Sequence, residues 1–371
     1  MCALYAGQID KLAVSFYHST VCFLCVPLGG DDFGEKWGFC VMSKGRIFSA
    51  MQPSGKFHLG NYMGALENWV KLQNEYECIF AIADLHALTS AYADTSKLPG
   101  NIHDMMLDWL SAGLDPEKNI IFVQSHVKEH AELHLLLSMM TPLSWLESVP
   151  TYKDKLQNLG EQGKDINTYG FLGYPELMTA DIVLYKAGWV PVGEDQNPHL
   201  ELAREIVRRF NLMYGKEVFV EPQGLMSRAA VLPGIDGRKM SKSYGNTIPF
   251  AASTDELRER VRMIVTDPER IKKTDKGHPE VCVAFKFQKL FNAEEVPEIE
   301  QNCREGCIGC VACKKRLAEK MVDAMADMHV RRQEYAGKPD KIREILDEGA
   351  KKARVIAQET MEEVREVMHL A

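Results

Sequence analysis

Hydrophobic residues in the first part of the chain form short continuous runs that alternate with longer stretches of helical spacing. Residues 47–51, 79–83 and 120–123 are short apolar runs, which predict buried strands. Residues 62–72 and 101–114 carry apolar side chains three and four positions apart, which predicts helices. Strands that alternate with helices indicate a parallel sheet with helices on both faces. We therefore expect an α/β fold whose ligands bind at the carboxyl ends of the strands.

The rest of the chain continues this alternation and then becomes mainly helical. A helical stretch at 128–187 is followed by a short strand at 189–192 and a helix at 198–213. Apolar spacing predicts a final helix at 340–369. Gly349 lies inside this helix and counts mildly against its being unbroken.

The pattern divides the chain into three segments. Residues 1–41 mix an apolar stretch with a run of glycine and aspartate, and regular patterning begins only after Met42. We expect Met42 to be the true start, and residues 1–41 to be an extension that is poorly ordered or not translated. Residues 42–250 are the expected α/β domain, and residues 251–371 are the expected helical domain.

Composition restricts the class of protein and its partners. Of the 371 residues, 46% are hydrophobic and 26% are charged, as in soluble globular proteins, which excludes disorder as the main state. No apolar run approaches the roughly 18 residues of a transmembrane helix, and no signal peptide is evident, so we expect a cytoplasmic protein. Because the net charge is -8, a nucleic acid would have to bind local basic patches.

Residues 52–61 form a loop between a predicted strand and a predicted helix. A helix N-terminus suits phosphate, and Gly60 allows a ligand to approach the backbone closely. His58 and Asn61 are three positions apart, so both could face one phosphate. Taken alone, a histidine in a turn is more often structural than catalytic.

A second loop, at residues 237–243, carries Lys239 and Lys242 with Ser241 between them. Such a cationic loop could wrap a triphosphate, although a lone basic loop is usually only solvated. The combination of this loop with the one at 52–61, in a chain of alternating strands and helices, is far more specific than either loop alone.

These motifs resemble the tryptophanyl-tRNA synthetases, a branch of the class I aminoacyl-tRNA synthetases, over residues 46–371. Residues 58–61 resemble the first class I signature, and residues 239–243 match the second letter for letter. Asn61 stands where most class I members have a second histidine, and the tryptophan branch shares this departure. Three further stretches resemble that branch in particular: residues 53–62, 177–185 and 192–199.

The resemblance implies a class I synthetase Rossmann-like parallel sheet over 42–250 that binds ATP and tryptophan, and an all-helical domain on the tRNA anticodon side over 251–371. It implies a tryptophan–tRNA ligase that uses ATP and Mg²⁺ to make tryptophanyl-adenylate, releases pyrophosphate and charges tRNA(Trp). Relatives are homodimers, so we expect a homodimer, and we expect no membrane partner.

The resemblance also implies roles for individual residues. The expected catalytic residues are His58, Lys239 and Lys242. The expected ATP-binding residues are Gln52, Ser54, Gly60, Asn61, Gly193, Asp195, Lys239, Met240, Ser241 and Lys242. The expected tryptophan-binding residues are Phe48, His86, Tyr174, Met178, Asp181 and Gln196. Lys155 resembles a lysine that reaches the leaving pyrophosphate.

Helical spacing supports the tryptophan pocket independently. Tyr174, Met178 and Asp181 share one helix face, which offers an aromatic ring, a thioether and a carboxylate. Indole has one polar group, an N–H donor, and the resemblance implies that Asp181 accepts it. In the alternative interpretation, Met178 is ordinary core and Asp181 caps a helix or faces solvent.

Five of the ten cysteines lie late in the chain. Cys282, Cys303, Cys310 and Cys313 are separated by 20, 6 and 2 residues, and Cys307 is a fifth. The spacing resembles a four-cysteine iron–sulfur site in a subset of bacterial tryptophanyl-tRNA synthetases. It favours a 4Fe–4S cluster with Cys307 spare; zinc is the alternative, and free thiols are the third possibility.

Three rival functions remain open at this stage. A tyrosyl-tRNA synthetase shares the fold but needs polar partners for a phenol hydroxyl, which the stretch around Asp181 supplies less well. A synthetase-derived RNA-binding protein would not need complete phosphate loops. A small-molecule nucleotidyltransferase would not need the long helical C-terminal region.

Overall fold

The computed structural model describes residues 44–160, 166–193, 196–226 and 232–370. The expected extension at 1–41 and the expected start at Met42 lie outside these residues. The strands are β1 (Arg46–Met51), β2 (Glu77–Ile82), β3 (Ile120–Val123), β4 (Trp189–Val192) and β5 (Gln223–Met226). The helices are α1 (Leu59–Asn61), α2 (Glu67–Leu72), α3 (Asp84–Ala91), α4 (Leu98–Ala112), α5 (Glu129–Ser138), α6 (Leu143–Ser148), α7 (Pro150–Gly160), α8 (Tyr169–Leu172), α9 (Tyr174–Val183), α10 (Asn197–Tyr214), α11 (Thr254–Met263), α12 (Val283–Phe291), α13 (Val296–Arg304), α14 (Cys310–Ala336) and α15 (Pro339–Met368).

The five strands form one parallel sheet in the order β3-β2-β1-β4-β5. The predicted parallel α/β fold is therefore confirmed, and β5 is a strand that the hydrophobic pattern did not reveal. From β1 the chain proceeds to β2 on one side and later returns to β4 on the other side. The strand order thus reverses beside β1, which opens a crevice at the carboxyl ends of β1 and β4.

The two faces of the sheet contribute to two hydrophobic clusters. Neighbouring side chains of a strand point to opposite faces, so Ile47 belongs to one cluster and Phe48 to the other. The C-terminal helices complete both clusters, since Leu317 of α14 joins the first and Ala353 of α15 joins the second. Residues 44–371 accordingly cluster as one compact unit.

Helix α15 is unbroken, and Gly349 has a packing role inside it. A Cβ atom at Gly349 would lie 1.8 Å from the carbonyl oxygen of Ile121 in β3. Only glycine lets the helix backbone rest directly on this edge strand. The helix therefore covers an edge of the sheet that would otherwise be open to another chain.

The predicted helical stretch at 128–187 is divided into separate helices. Pro142 ends one segment before α6, and Pro150 begins α7. The Thr168 hydroxyl accepts a hydrogen bond from the Phe171 backbone N–H and so starts α8. Within the described ranges, none of the helices combines the length and the apolar character needed to cross a membrane.

Candidate active site

A cavity of about 310 Å³ opens at the carboxyl ends of β1 and β4. All six expected tryptophan-binding residues line it, and so do two of the expected ATP-binding residues. These eight are Phe48, Gln52, His86, Tyr174, Met178, Asp181, Gly193 and Gln196. The wall also includes Trp69, Asn68 and His199, which the sequence did not single out as site residues. The cavity is mainly apolar with a few converging polar groups, as ligand sites usually are.

Helix α9 supplies one wall of this cavity. It begins after Gly173 with Pro175 in its first turn, where proline is tolerated. Tyr174, Met178 and Asp181 lie on its cavity face, as their spacing predicts. Asp181 is 2% exposed, so it does not face solvent, and the alternative interpretation of it as a solvated residue is wrong.

The Asp181 carboxylate is held by three side chains from other elements. His130 Nδ1 lies 2.6 Å from Oδ1, and His86 Nε2 lies 2.8 Å from Oδ2. Gln124 Nε2 donates to both oxygens, at 2.7 and 2.9 Å. His130 Nε2 in turn lies 2.7 Å from the Tyr185 hydroxyl. Sequence reasoning missed all three residues, because Gln124 and His130 are more than 50 positions from Asp181, and the position of Tyr185 four residues after Asp181 does not reveal its contact with His130.

These partners keep Asp181 ionised. Burial alone would raise the pKa of this carboxyl, but the interactions with His130 and then with His86 outweigh it. The net effect holds the pKa of Asp181 well below its usual range. A mainly apolar cavity therefore ends in a fixed negative charge that can accept a hydrogen bond.

A second polar group lies at the other end of the α9 face. The Tyr174 hydroxyl lies 3.0 Å from Thr151 Oγ1 and 3.1 Å from His199 Nε2, and Thr151 also contacts His199 at 2.9 Å. Burial raises the pKa of Tyr174, which keeps the hydroxyl protonated. These contacts fix the aromatic ring at the cavity wall.

Glu176 is a buried acid one turn from the cavity face. It is 1% exposed, and the His134 ring lies beside it, with Nδ1 3.6 Å from Oε1. Burial raises the pKa of Glu176 to about 8. The residue is therefore mostly protonated at neutral pH.

The two signature loops meet in space, although about 180 residues separate them. The Gly60 backbone N–H donates to Met240 Sδ at 3.3 Å, and Lys242 Nζ donates to the Ser54 carbonyl oxygen at 3.2 Å. The Leu59 N–H donates to the Ile248 carbonyl oxygen at 3.0 Å, which ties the loop at 52–61 to the segment after the second signature. The expected ATP-binding groups are thus brought together.

His58 serves as the N-cap of α1. Its Nδ1 accepts from the Asn61 N–H at 3.2 Å, and the Asn61 side-chain oxygen accepts from the His58 N–H at 3.2 Å. Burial, followed by the charge of Lys242, lowers the pKa of His58 to about 4. The imidazole is therefore neutral at pH 7, and it offers a phosphate an N–H donor at Nε2 but no positive charge.

A buried amide organises the second signature. Asn246 is 2% exposed; its side-chain oxygen accepts from the Ser241 N–H at 2.8 Å, and its amide donates to Asp236 and to the Lys239 carbonyl oxygen. A Cβ at Gly234 would lie 2.2 Å from the Asn246 amide nitrogen, so only glycine fits there. Lys239 itself is exposed, on the outside of this loop.

Two expected site groups cannot be located. Asp195 lies outside the described residues, and the side chain of Lys155 does so as well. Their roles remain predictions.

The late cysteines lie in or beside three helices of the C-terminal region: Cys282 directly precedes α12, Cys303 is in α13, Cys307 follows α13, and Cys310 and Cys313 are in α14. Burial raises the pKa of Cys313 to about 11, and the thiolate charges of Cys282, Cys303 and Cys310 add to the rise. Cys307 is exposed and lies 3.9 Å from a Glu305 carboxylate oxygen. Over the described ranges, however, no three His, Cys, Asp or Glu side chains are grouped as ligands of one metal ion.

Comparisons with known proteins agree with this site. The family described as tRNA synthetases class I (W and Y) matches residues 42–326. The tryptophan–tRNA ligase of Thermotoga maritima is 50% identical over 88% of this chain and 99% of its own length. That of Aquifex aeolicus is 44% identical over 88% of this chain and 100% of its own length.

A solved structure is similar over the same range. The tryptophanyl-tRNA synthetase from Campylobacter jejuni, complexed with ADP and tryptophan, superposes with a TM-score of 0.80 at 38% identity and covers 87% of this chain and 99% of its own. Taken with the cavity and the joined signature loops, these similarities show that the chain belongs to the class I tRNA synthetases, in the branch of the tryptophan–tRNA ligases.

Proposed function

We propose that this chain activates L-tryptophan with ATP in the cavity beside α9 and then transfers it to tRNA(Trp). The observation that carries the proposal is the buried, ionised Asp181 carboxylate in a mainly apolar cavity. The indole N–H is the donor that such an acceptor selects. A phenylalanine side chain would leave the carboxylate without that hydrogen bond, which costs more than lost packing.

The remaining cavity residues divide between the two ends of the amino acid. Phe48 and Met178 contact the flat faces of the indole, and the Tyr174 hydroxyl and Gln196 receive the ammonium group. His86 lies beside Asp181 and helps to close the indole end. Gln52 and Gly193 line the same cavity towards the phosphates.

ATP, together with its Mg²⁺, lies across the two signature loops. The tryptophan carboxylate is already anionic, so its attack on the α-phosphorus needs no general base. Catalysis then consists of positioning and of stabilising charge that develops on the phosphates. Lys239 and Lys242 supply positive charge, and neutral His58 supplies a hydrogen-bond donor.

Pyrophosphate exchange with tryptophan, tyrosine and phenylalanine tests this function, followed by charging of tRNA. We expect exchange with tryptophan and charging of tRNA(Trp). Exchange that prefers tyrosine would indicate a tyrosyl-tRNA synthetase. Exchange without tRNA charging would indicate a small-molecule nucleotidyltransferase. The absence of both reactions would favour an RNA-binding protein derived from a synthetase.

The enzyme is proposed to act as a homodimer in the cytoplasm. Leu135, Met139 and Leu143 are 53%, 71% and 60% exposed on neighbouring helices, and large apolar side chains on a surface favour burial against a partner. Light scattering gives the mass in solution, and a mass near that of one chain would exclude the dimer.

Cys282, Cys303, Cys310 and Cys313 are proposed to hold a 4Fe–4S cluster, with zinc as the alternative metal. Support comes from the mutual effect of their thiolate charges and from the exposed position of Cys307 outside the set. Four thiolates are the ordinary ligands of both metals. When bound, the cluster would join α12, α13 and α14 and so fix the region expected to face the tRNA anticodon.

Iron, sulfide and zinc analysis of anaerobically purified protein distinguishes the two metals, and visible charge-transfer absorbance reports the cluster. We expect Cys313→Ser to lose both iron and absorbance, whereas the matched control Cys307→Ser keeps them. Stoichiometric zinc without iron would show that the four cysteines bind zinc instead of an iron–sulfur cluster. Equal losses in both variants would contradict the ligand set.

A further inference from the structure

A second layer of polar side chains lies behind Asp181, beyond the reach of a bound amino acid. Gln124, His130 and Tyr185 are all 0% exposed, whereas Asp181 and His86 line the cavity. Burying three polar side chains together costs free energy unless their hydrogen bonds are made. Here the contacts form a continuous chain from the Tyr185 hydroxyl through the His130 ring to the Asp181 carboxylate.

We propose that Tyr185 and His130 are positioning residues that orient the Asp181 carboxylate and thereby set the preference for a ligand that carries an N–H group. The inference rests on the proposed role of Asp181 as the acceptor for the indole nitrogen. It assigns the selectivity of that acceptor to residues that never touch the ligand.

The chemistry of the partners fixes the direction of each hydrogen bond. An ionised carboxylate only accepts, so His130 Nδ1 must carry the proton that faces Asp181. When the ring is neutral, His130 Nε2 accepts from the Tyr185 hydroxyl. Burial, together with the nearby carboxylates of Asp181 and Glu129, raises the pKa of Tyr185 well above its usual value, so this hydroxyl remains a donor. Tyr185 therefore selects the tautomer of His130 that Asp181 requires.

The two oxygens of Asp181 differ in their partners. Oδ1 is engaged by His130 at 2.6 Å and by Gln124 at 2.7 Å, while Oδ2 has His86 at 2.8 Å and the longer Gln124 contact at 2.9 Å. Each oxygen thus has two contacts, and Oδ2 is the one whose partner His86 lines the cavity, so a ligand in the cavity would approach Oδ2. Without the contact to His130, the carboxylate could rotate, and Oδ2 would lose its direction.

The position of the aromatic rings supports an orienting role for Tyr185. Its ring stacks on Phe48 with centroids 5.4 Å apart and an interplanar angle of 11°. Phe48 also lines the cavity, so the ring that closes the pocket and the hydroxyl that holds His130 are packed as one unit. The packed ring leaves the Tyr185 hydroxyl little freedom to form a hydrogen bond with any group other than His130.

The test compares tryptophan with β-(benzothiophen-3-yl)alanine, in which sulfur replaces the indole N–H. The ratio of kcat/KM in pyrophosphate exchange for these two amino acids measures selectivity for the N–H group alone. Variants Tyr185→Phe, His130→Asn and Asp181→Asn are compared with the wild type. Tyr214→Phe is the matched control, since Tyr214 packs against Phe210 in the same hydrophobic cluster.

We expect Tyr185→Phe to lower kcat/KM for tryptophan about tenfold through KM, with less than about a twofold change for the analogue, the size expected for a weakened hydrogen bond to a charged group. His130→Asn keeps a donor at the position of Nδ1 but loses the contact to the Tyr185 hydroxyl, so it too should lower the ratio for tryptophan over the analogue, by less than Tyr185→Phe. Asp181→Asn should bring the ratio close to one, and Tyr214→Phe should leave it unchanged.

Two different failures can be told apart. Equal losses for both amino acids in Tyr185→Phe and His130→Asn, with selectivity lost in Asp181→Asn, would overturn the relay and leave Asp181 as the acceptor. An unchanged ratio in Asp181→Asn would overturn the proposed role of Asp181 itself. Thermal unfolding of each variant identifies any that is misfolded, and His130→Asn then decides the question if Tyr185→Phe is among them.

Discussion

His58 shows how one side chain serves both the fold and the site. Its Nδ1 caps the first helix turn after the signature loop, and burial beside Lys242 keeps the ring neutral. The sequence places His58 in a phosphate loop, but its charge depends on neighbours that are distant in the chain. Positive charge at this site therefore rests on Lys242 and Lys239.

Lys242→Ala tests that division of roles. We predict that the rate constant for tryptophan-dependent pyrophosphate exchange falls by at least about tenfold, because a charge that stabilises the transition state is lost. Lys71→Ala is the control, since Lys71 is an exposed lysine paired with Glu67 on α2. An unchanged rate constant for Lys242→Ala would refute the assigned role.

Glu176 predicts a pH effect on stability. Because its pKa is raised to about 8 in the folded state, the folded protein holds a proton that the unfolded chain releases near pH 4.5. Stability is therefore lost as the pH rises from about 4.5 to 8, and the full shift corresponds to about 5 kcal/mol at about 1.4 kcal/mol per pKa unit. Glu176→Gln should remove this loss, so its advantage over the wild type in thermal unfolding should grow from pH 5 to pH 9. The exposed control Glu359→Gln should show no such trend. If Glu176→Gln also shows no trend, Glu176 is ionised in the folded protein and the account of its raised pKa is wrong.

At the scale of elements, the pattern predicts regular segments well and their interruptions poorly. β1, β3, β4 and the last helix lie close to their predicted positions, because strands buried on both faces are continuous apolar runs. β5 escaped prediction because Gln223–Met226 contains no β-branched or aromatic residue. Gly349 appeared to weaken its helix, since the sequence does not show which strand the helix crosses.

Gly349→Ala tests the contact between α15 and the sheet. The added Cβ would overlap the Ile121 carbonyl oxygen, so we predict a loss of about 3 kcal/mol in the free energy of unfolding. Gly100→Ala in α4 is the matched control, because no atom lies within 4 Å of its added Cβ. That change should stabilise the protein slightly, as alanine does in an exposed helix. Urea unfolding compares the two, and similar midpoints would contradict the packing role.

At the scale of the whole molecule, the motifs predict which residues form the cavity but not what supports them. Phe48 lies on the first predicted strand, and Tyr174 and Asp181 share a predicted helix face, so their meeting at the carboxyl end of the sheet was predictable. Gln124 and His130 reach Asp181 only through the parallel order of the sheet, which places the turn after β3 and the start of α5 beside α9. The boundary near residue 250 stays a prediction.

The most direct test of the central claim is a crystal structure of the protein with bound tryptophan. We predict that the indole nitrogen lies about 3 Å from Asp181 Oδ2, with the ring beside Phe48 and Met178. An indole nitrogen directed away from Asp181, with the carboxylate unchanged in its contacts to His130 and Gln124, would contradict the account of how this cavity selects its amino acid.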